Sequence, residues 1–338
     1  MTTNTIAHRR LGEAGPTVSA LGLGCMGMSG TYGAADDDES LATIRAAVDA
    51  GVSLLDTGDF YGSGHNELLV GRALRDLDRD AVVISVKFGA LRGPDGSLGG
   101  IDTRPQAMRN FLAYSLTRLG TDHFDVYRPA RLDPAVPIED TIGAIAEQVD
   151  AGYVRAIGLS EVGAETIRRA AAVHPICDLQ IEYSILSRGI EDDILPTCRE
   201  LGIAITAYGV LSRGLISADL TSPPRNDYRA HSPRFQGENF AANRRLVEAL
   251  TAVASAKGVS VTQLAFAWVL AQGDDLVPLV GTKRRDRLTD SLGALDVELT
   301  AAELAAIEDA VPRDAAAGAR YAEAQMAVLD SERPSGER

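Results

Sequence analysis

Three residues combine types and spacing that suit proton transfer to a carbonyl or alcohol oxygen: Asp56 in SLLDTGDFYG, Tyr61 five residues later, and Lys87 at the end of AVVISVKFG. A phenol that titrates near pH 10 is a sluggish acid-base group, so chemistry at Tyr61 calls for a neighbouring ammonium. A buried ammonium in turn calls for a carboxylate. Lysine occurs only at positions 87, 257 and 283 of this arginine-rich chain, and a compact ammonium with an adjustable pKa is what arginine lacks. On this reading Asp56 fixes Lys87, and Lys87 lowers the pKa of Tyr61. The same residues also describe a buried structural ion pair beside a loop aromatic, and spacing alone does not separate the two.

Such a cluster needs elements that bring distant residues together. Short apolar β-rich runs alternate with stretches of helical period, the pattern of parallel strands joined by crossover helices. Strands are expected at 18–23, 53–56, 81–87, 124–127, 154–159, 178–182, 203–208 and 276–280. Helices are expected near 38–51, 65–77, 105–119, 138–151, 163–173, 191–201, 241–257, 260–271 and 284–294. Ser40 or the acidic run from Asp36 to Asp38 opens the first helix, and Pro105 opens the third. Gly51, Gly120, Gly152 and Gly202 close four of them. Eight βα units without a GxGxxG after the first strand predict an α/β fold, a closed (β/α)8 TIM barrel, with residues at strand C-terminal ends facing the active site.

The reading is one domain over 1–338. RRLGEAGPTVSA reads as an N-terminal β-hairpin plugging the barrel bottom, 209–237 as a long functional loop, and TAAELAAIEDAV as an extra helix. The tail from about 313 to 338 is expected to be partly mobile.

At 338 residues, with 45% hydrophobic and 24% charged residues, the chain has the composition of an ordinary globular protein. A formal net charge of −14 argues against nucleic acid or an anionic membrane as partner. Without an apolar leader or a run long enough to span a bilayer, the expected location is cytoplasmic. Cys25, Cys177 and Cys198 show no CxxC spacing and read as reduced and buried. The histidines show no metal-ligand spacing; His65 reads as a helix-start contact and Trp268 as core. No oligomeric state can be read.

Several ordered blocks resemble the aldo-keto reductase family: LGLGCMGMSG, LLDTGDFYGSGHNELLVGRAL, VKFG, YVRAIGLSEV, LQIEYSILSR, TAYGVLSRG and VPLVGTKRRDRLTDSLGAL, together spanning roughly residues 8–312. The resemblance implies NAD(P)(H)-linked reduction of a small aldehyde or ketone on a barrel, and the hydride could equally pass to an imine carbon. It makes Asp56, Tyr61 and Lys87 three members of a catalytic tetrad. The fourth, usually a histidine in a stretch like LHRVDP, is replaced: here the stretch is YRPARLDP, and Ala130 takes that place while Arg131 and Asp133 remain. An alanine cannot hydrogen-bond an oxyanion, so Tyr61 must do more of that work, and the pocket is enlarged.

By the same resemblance Ser160 and Gln180 hold the nicotinamide carboxamide and Tyr208 stacks on the ring, with Glu161 where the family often has Asn. Leu211, Ser212, Arg213 and Gly214 cover the pyrophosphate. Gly281, Thr282, Lys283 and Arg284 begin a helix whose free N–H groups and charge suit a 2′-phosphate, hence NADPH. Asp290 stands at the adenine contact, and Thr57 is placed on the cofactor side of the cluster. Met26, Met28, Phe60, Phe88, Arg128 and Ala130 are expected around the substrate, with core packing or a solvated charge as the plainer readings. Two function classes follow: an NADPH-dependent oxidoreductase with Tyr61 as proton donor, and a slow-turnover NADPH-binding regulatory subunit, motivated by the missing histidine.

Overall fold

The computed structural model describes residues 6–217, 220–222, 225 and 227–332. The chain opens with a hairpin, β1 (His8–Arg10) against β2 (Thr17–Ser19). Eight parallel strands then close a barrel in the order β3 (Gly22–Gly24), β4 (Leu54–Gly58), β5 (Val83–Phe88), β8 (Phe124–Pro129), β9 (Val154–Ser160), β10 (Ile176–Glu182), β11 (Ala204–Tyr208) and β12 (Leu276–Gly281). A second hairpin, β6 (Ala90–Arg92) with β7 (Leu98–Ile101), follows β5 and was not expected from the sequence.

The helices are α1 (Asp37–Asp49), α2 (His65–Leu74), α3 (Pro105–Leu119), α4 (Ile138–Asp150), α5 (Ala164–Val173), α6 (Ile194–Glu200), α7 (Gly237–Lys257), α8 (Val261–Leu270), α9 (Arg285–Leu292), α10 (Ala301–Ala310) and α11 (Glu323–Met326). Their ends follow local chemistry. Asp36 caps α1 by accepting from Glu39 N, and Ser260 with Gln263 forms a reciprocal capping box on α8. Gly51, Gly120, Gly152 and Gly202 each turn left-handed after a helix, with φ of 94°, 67°, 83° and 67°, where a side chain would be strained.

Two apolar layers hold the barrel. The larger lies between strands and helices and includes Trp268 of α8, which is 3% exposed and 5.3 Å from the Tyr183 ring. The smaller fills the barrel bottom with Leu11, Val18, Leu54, Val126, Ala204, Val277 and Leu279. Leu11 and Val18 come from the first hairpin, which therefore plugs the bottom. The expected strand at 18–23 is corrected accordingly: Val18 pairs with Arg9, and the barrel strand begins at Gly22.

The three cysteines are free and buried. No single helix among the described residues is long and apolar enough to cross a membrane. The Pro223–Pro224 pair of the long loop and the end of the tail from Arg333 onward lie outside the described residues.

Candidate active site

Register brings the expected cluster together. Asp56 pairs with Ser85 across β4 and β5, and Gly58 pairs with Lys87. Alternate residues of a strand share a face, so Asp56, Ser85 and Lys87 all enter the barrel. Lys87 Nζ lies 2.6 Å from Asp56 Oδ2, and both residues are 3% exposed. The other carboxylate oxygen accepts from Ser85 Oγ at 3.0 Å and from Gln180 Nε2 at 2.8 Å. Tyr61 sits in the loop after β4, its ring centre 5.2 Å from Lys87 Nζ and its edge packed against Phe60 at 4.8 Å between centroids.

The electrostatics differ from the expectation in one respect. Burial first, and Asp56 second, push the Tyr61 phenol well above its ordinary value. Lys87 does not reverse this, because its charge is already neutralised by Asp56 at contact distance. Burial lowers the pKa of Lys87 itself, and Asp56 opposes that shift. Tyr61 thus stands protonated, the state from which a phenol can give a proton away.

Beneath the cluster runs a second polar layer. Arg128 of β8 is fully buried, 3.0 Å from Asp178 Oδ2, and donates through Nη2 to Ser85 Oγ at 2.9 Å. Gly158 makes room for it, since a Cβ there would lie 2.5 Å from Asp178 Oδ1 and 3.1 Å from Arg128 Nε. Arg128 is therefore neither a solvated charge nor a wall of the substrate space. It ties Asp178 to Ser85 and so to Asp56.

Strand alternation corrects further expectations. Thr57 lies between the inward-facing Asp56 and Gly58, so it faces outward and donates to Asn66 Oδ1 of α2 at 2.7 Å rather than meeting a cofactor. Phe88 follows the inward-facing Lys87 and stacks outside the barrel on Tyr127, 4.5 Å between centroids. Met28 is fully buried in the outer core. Met26 and Phe60 are only partly covered, and Ala130 is 1% exposed at the end of β8.

The expected cofactor surface lies on the neighbouring strands. Ser160 ends β9, Gln180 lies in β10, and Tyr208 ends β11. Glu161 adopts φ 55°, a left-handed conformation that suits Asn better than Glu. It is held there by its carboxylate, which accepts from Tyr208 Oη at 2.7 Å, from Ser331 Oγ at 2.9 Å and from Arg320 Nη1 at 2.9 Å. Burial alone would raise this carboxyl, but Arg320 outweighs it and holds Glu161 below the ordinary carboxylate range.

Farther along, Leu211, Gly214, Arg229, Gly281, Thr282, Arg284 and Arg287 line a cavity of about 410 Å³. Its guanidinium groups lie beside the start of α9, a donor set that fits a phosphorylated nucleotide. Ser212 is buried nearby and meets Ser184 Oγ at 3.2 Å. Lys283 is not part of that donor set. Its ammonium turns to the carbonyls of Tyr32 and Gly33, at 3.2 and 3.0 Å, and of Ala34, so it fastens the loop after β3 instead. Asp290 accepts from Ser260 Oγ at 2.8 Å, a bond between helices.

The C-terminal tail is expected to be partly mobile near its end; its described part, residues 313–332, crosses the barrel mouth. Arg320 is 7% and Tyr321 8% exposed. Tyr321 Oη meets Tyr208 Oη at 2.7 Å, the Arg213 guanidinium covers the Tyr321 ring at 4.3 Å, and Asp330 accepts from Gly163 N at 2.8 Å. Arg213 itself pairs with Glu182 at 2.8 Å. Sequence reasoning missed Tyr32, Glu182, Arg320 and Tyr321 as mouth residues. The adjacent Arg-Tyr in an otherwise small-residue tail was the available signal.

A closed eight-stranded parallel barrel with a buried Asp–Lys pair beneath a tyrosine at its mouth defines an oxidoreductase-type barrel. The family profile for the Aldo/keto reductase family matches residues 20–312, and the chain belongs to that family. It is 42% identical over 326 residues to a probable aldo-keto reductase 1 of Glycine max, covering 95% of this chain and 93% of that one. Among solved structures it is similar to a glycerol dehydrogenase from Gluconobacter oxydans, with TM-score 0.81 and 29% identity over 93% of this chain and 97% of that one. It is also similar to a thermostable aldo-keto reductase in complex with the inhibitor epalrestat, with TM-score 0.73 and 27% identity over 90% and 100% of the two chains. Members of the family are nicotinamide-dependent oxidoreductases acting on small carbonyl compounds.

Proposed function

We propose that this chain reduces a small carbonyl compound with NADPH, with Tyr61 as the proton donor. The observation that carries the reading is the placement of Tyr61 at the mouth, its ring centre 5.2 Å from Lys87 Nζ of the buried Lys87–Asp56 pair. When bound, the cofactor supplies a hydride to the carbonyl carbon.

The chain's own residues do the rest. Ser160 and the side-chain amide oxygen of Gln180 would hold the carboxamide, and Tyr208 would lie against the ring. Arg284 and Arg287, which line the cavity beside α9, would hold the 2′-phosphate and so favour NADPH over NADH. As negative charge grows on the substrate oxygen, Tyr61 hydrogen-bonds it and then transfers its proton, giving an alcohol. Lys87 lies 5.2 Å from the centre of the Tyr61 ring, and Asp56 holds Lys87 in place. Solvent then returns a proton to Tyr61. A hydroxyl-to-carbonyl chemistry is also the one named for the glycerol dehydrogenase that the fold resembles.

The test uses NADPH deuterated at C4 with a panel of aldehydes. The reading expects multiple turnovers and deuterium at the carbinol carbon of the product. Tight NADPH binding with no transfer of label to any carbonyl would instead support a regulatory, cofactor-holding role.

A further inference from the structure

Cations crowd the mouth of this barrel, and most of those around the cluster have a carboxylate. Lys87 has Asp56, Arg128 has Asp178, Arg213 has Glu182, Arg229 has Asp227 and Arg320 has Glu161. Arg131, one residue past Ala130, has none within ion-pair distance among the described residues. Its Nη1 donates to its own neighbour's carbonyl, Ala130 O, at 2.6 Å, and its Nη2 to Tyr321 Oη at 3.4 Å. Its Nε–H has no acceptor among the described residues and is not among the atoms sealed from solvent.

The hydrogen-bond directions around it are fixed. Tyr208 gives its hydroxyl hydrogen to Glu161, so at the contact between the two tyrosines Tyr321 must donate to Tyr208, and Tyr321 can only accept from Arg131. Glu161, the acid at the far end of this relay, already accepts from Arg320, Ser331 and Tyr208. The Arg131 charge is thus held half-buried by the C-terminal segment with no carboxylate at contact distance among the described residues, and Glu161, whose field reaches it, is already engaged by Arg320. The field of Arg131 reaches the reacting residues, acting to lower both Tyr61 and Lys87 against the larger effect of burial on each.

We propose that Arg131, held in place by Tyr321, is the anchor for a carboxylate on the substrate, so that the preferred substrates are carbonyl compounds carrying a carboxylate group. The inference rests on the reading of Tyr61 as proton donor, and it deepens that reading by naming a substrate class. A planar guanidinium with an unused N–H matches a carboxylate in geometry as well as charge.

The experiment compares glyoxylic, 4-oxobutanoic and 4-formylbenzoic acids with their methyl esters, using wild type, Arg131→Gln and Arg131→Lys. For the acid that fits best, Arg131→Gln is expected to raise KM about 10- to 100-fold, the range for a hydrogen bond to a charged group. KM for the matching ester and the Kd for NADPH stay unchanged, and Arg131→Lys recovers part of the loss. Equal effects on acid and ester, or a weakened NADPH Kd, would overturn the proposal.

Calorimetry with benzene-1,4-dicarboxylate gives a readout independent of turnover: wild type binds it and Arg131→Gln does not. If no carbonyl is reduced, the function reading fails while this binding still decides the anchor. Loss of the dicarboxylate from wild type, or its displacement by inorganic phosphate at similar concentration, would overturn the carboxylate assignment.

Discussion

Lys87 and Asp56 form a contact ion pair at 2.6 Å inside the barrel, and the remaining oxygen of Asp56 is occupied by Ser85 and Gln180. The pair is therefore a fixed unit rather than two free side chains. Breaking it from one side leaves an uncompensated buried charge.

Asp56→Asn is accordingly expected to destabilise the fold by about 3–5 kcal/mol, the cost typical of stranding one member of a buried pair. The double variant Asp56→Asn with Lys87→Met is expected to regain part of that stability and none of the turnover. Chemical denaturation alongside NADPH oxidation checks this; a double variant as unstable as the single one contradicts it.

Asp59, two residues before Tyr61, gives a pH prediction. Burial, with Glu67 adding to it, pushes its carboxyl up to about 7, and its Oδ1 is buried without a partner. The folded chain thus holds a proton that the unfolded chain releases near pH 4. Stability from this group is complete below pH 4, falls as pH rises from about 4 to 7, and stays low above. Asp59→Asn should remove that slope and be more stable than wild type at pH 8 by about 1–3 kcal/mol. Melting curves at pH 5 and pH 8 measure it, and an unchanged slope in the variant would count against the assignment.

Arg320 links the tail to two buried acids, Glu161 and Glu182. Because Arg320 holds Glu161 below its usual pKa, the bond contributes stability above about pH 4.5, which is lost as pH falls through the lowered value. At pH 7, Arg320→Met should cost about 3–5 kcal/mol and release residues 313–332 to protease. A variant that melts like wild type with its tail still protected would show that the tail is held by its other contacts.

Arg284 lines the cavity beside α9 and is exposed, paired with Asp286. Arg284→Gln should weaken NADPH binding about tenfold and NADH binding little, since a charge-assisted hydrogen bond to phosphate is at stake. Fluorescence titration with both cofactors distinguishes this from a general loss of the site, in which the two fall together.

Much of this arrangement was legible in the chain. Strand period and helix-closing glycines gave eight βα units, and the positions of Asp56 and Lys87 at strand ends were enough to bring them into contact. Alternation within a strand carried more information than was used, since Thr57 and Phe88 are each adjacent to an inward-facing residue and must face out. Arg128 shares the parity of Ala130 but lies one pleat deeper, and only Gly158 on the neighbouring strand reveals that a guanidinium fits there. The capture of Glu161 by Arg320 was not legible, because 159 residues separate them and no local pattern marks their contact. Lys283 was misplaced for the same reason: its acceptors are backbone carbonyls of a loop about 250 residues away.

The central claim, that Tyr61 delivers the proton, is tested most directly by Tyr61→Phe. Single-turnover reduction of an aldehyde, with NADPH binding measured on the same sample, is expected to slow at least 100-fold while Kd for NADPH stays within about twofold of wild type. Wild-type turnover in the phenylalanine variant would contradict the account, because the ring and its packing on Phe60 would remain and only the proton would be gone.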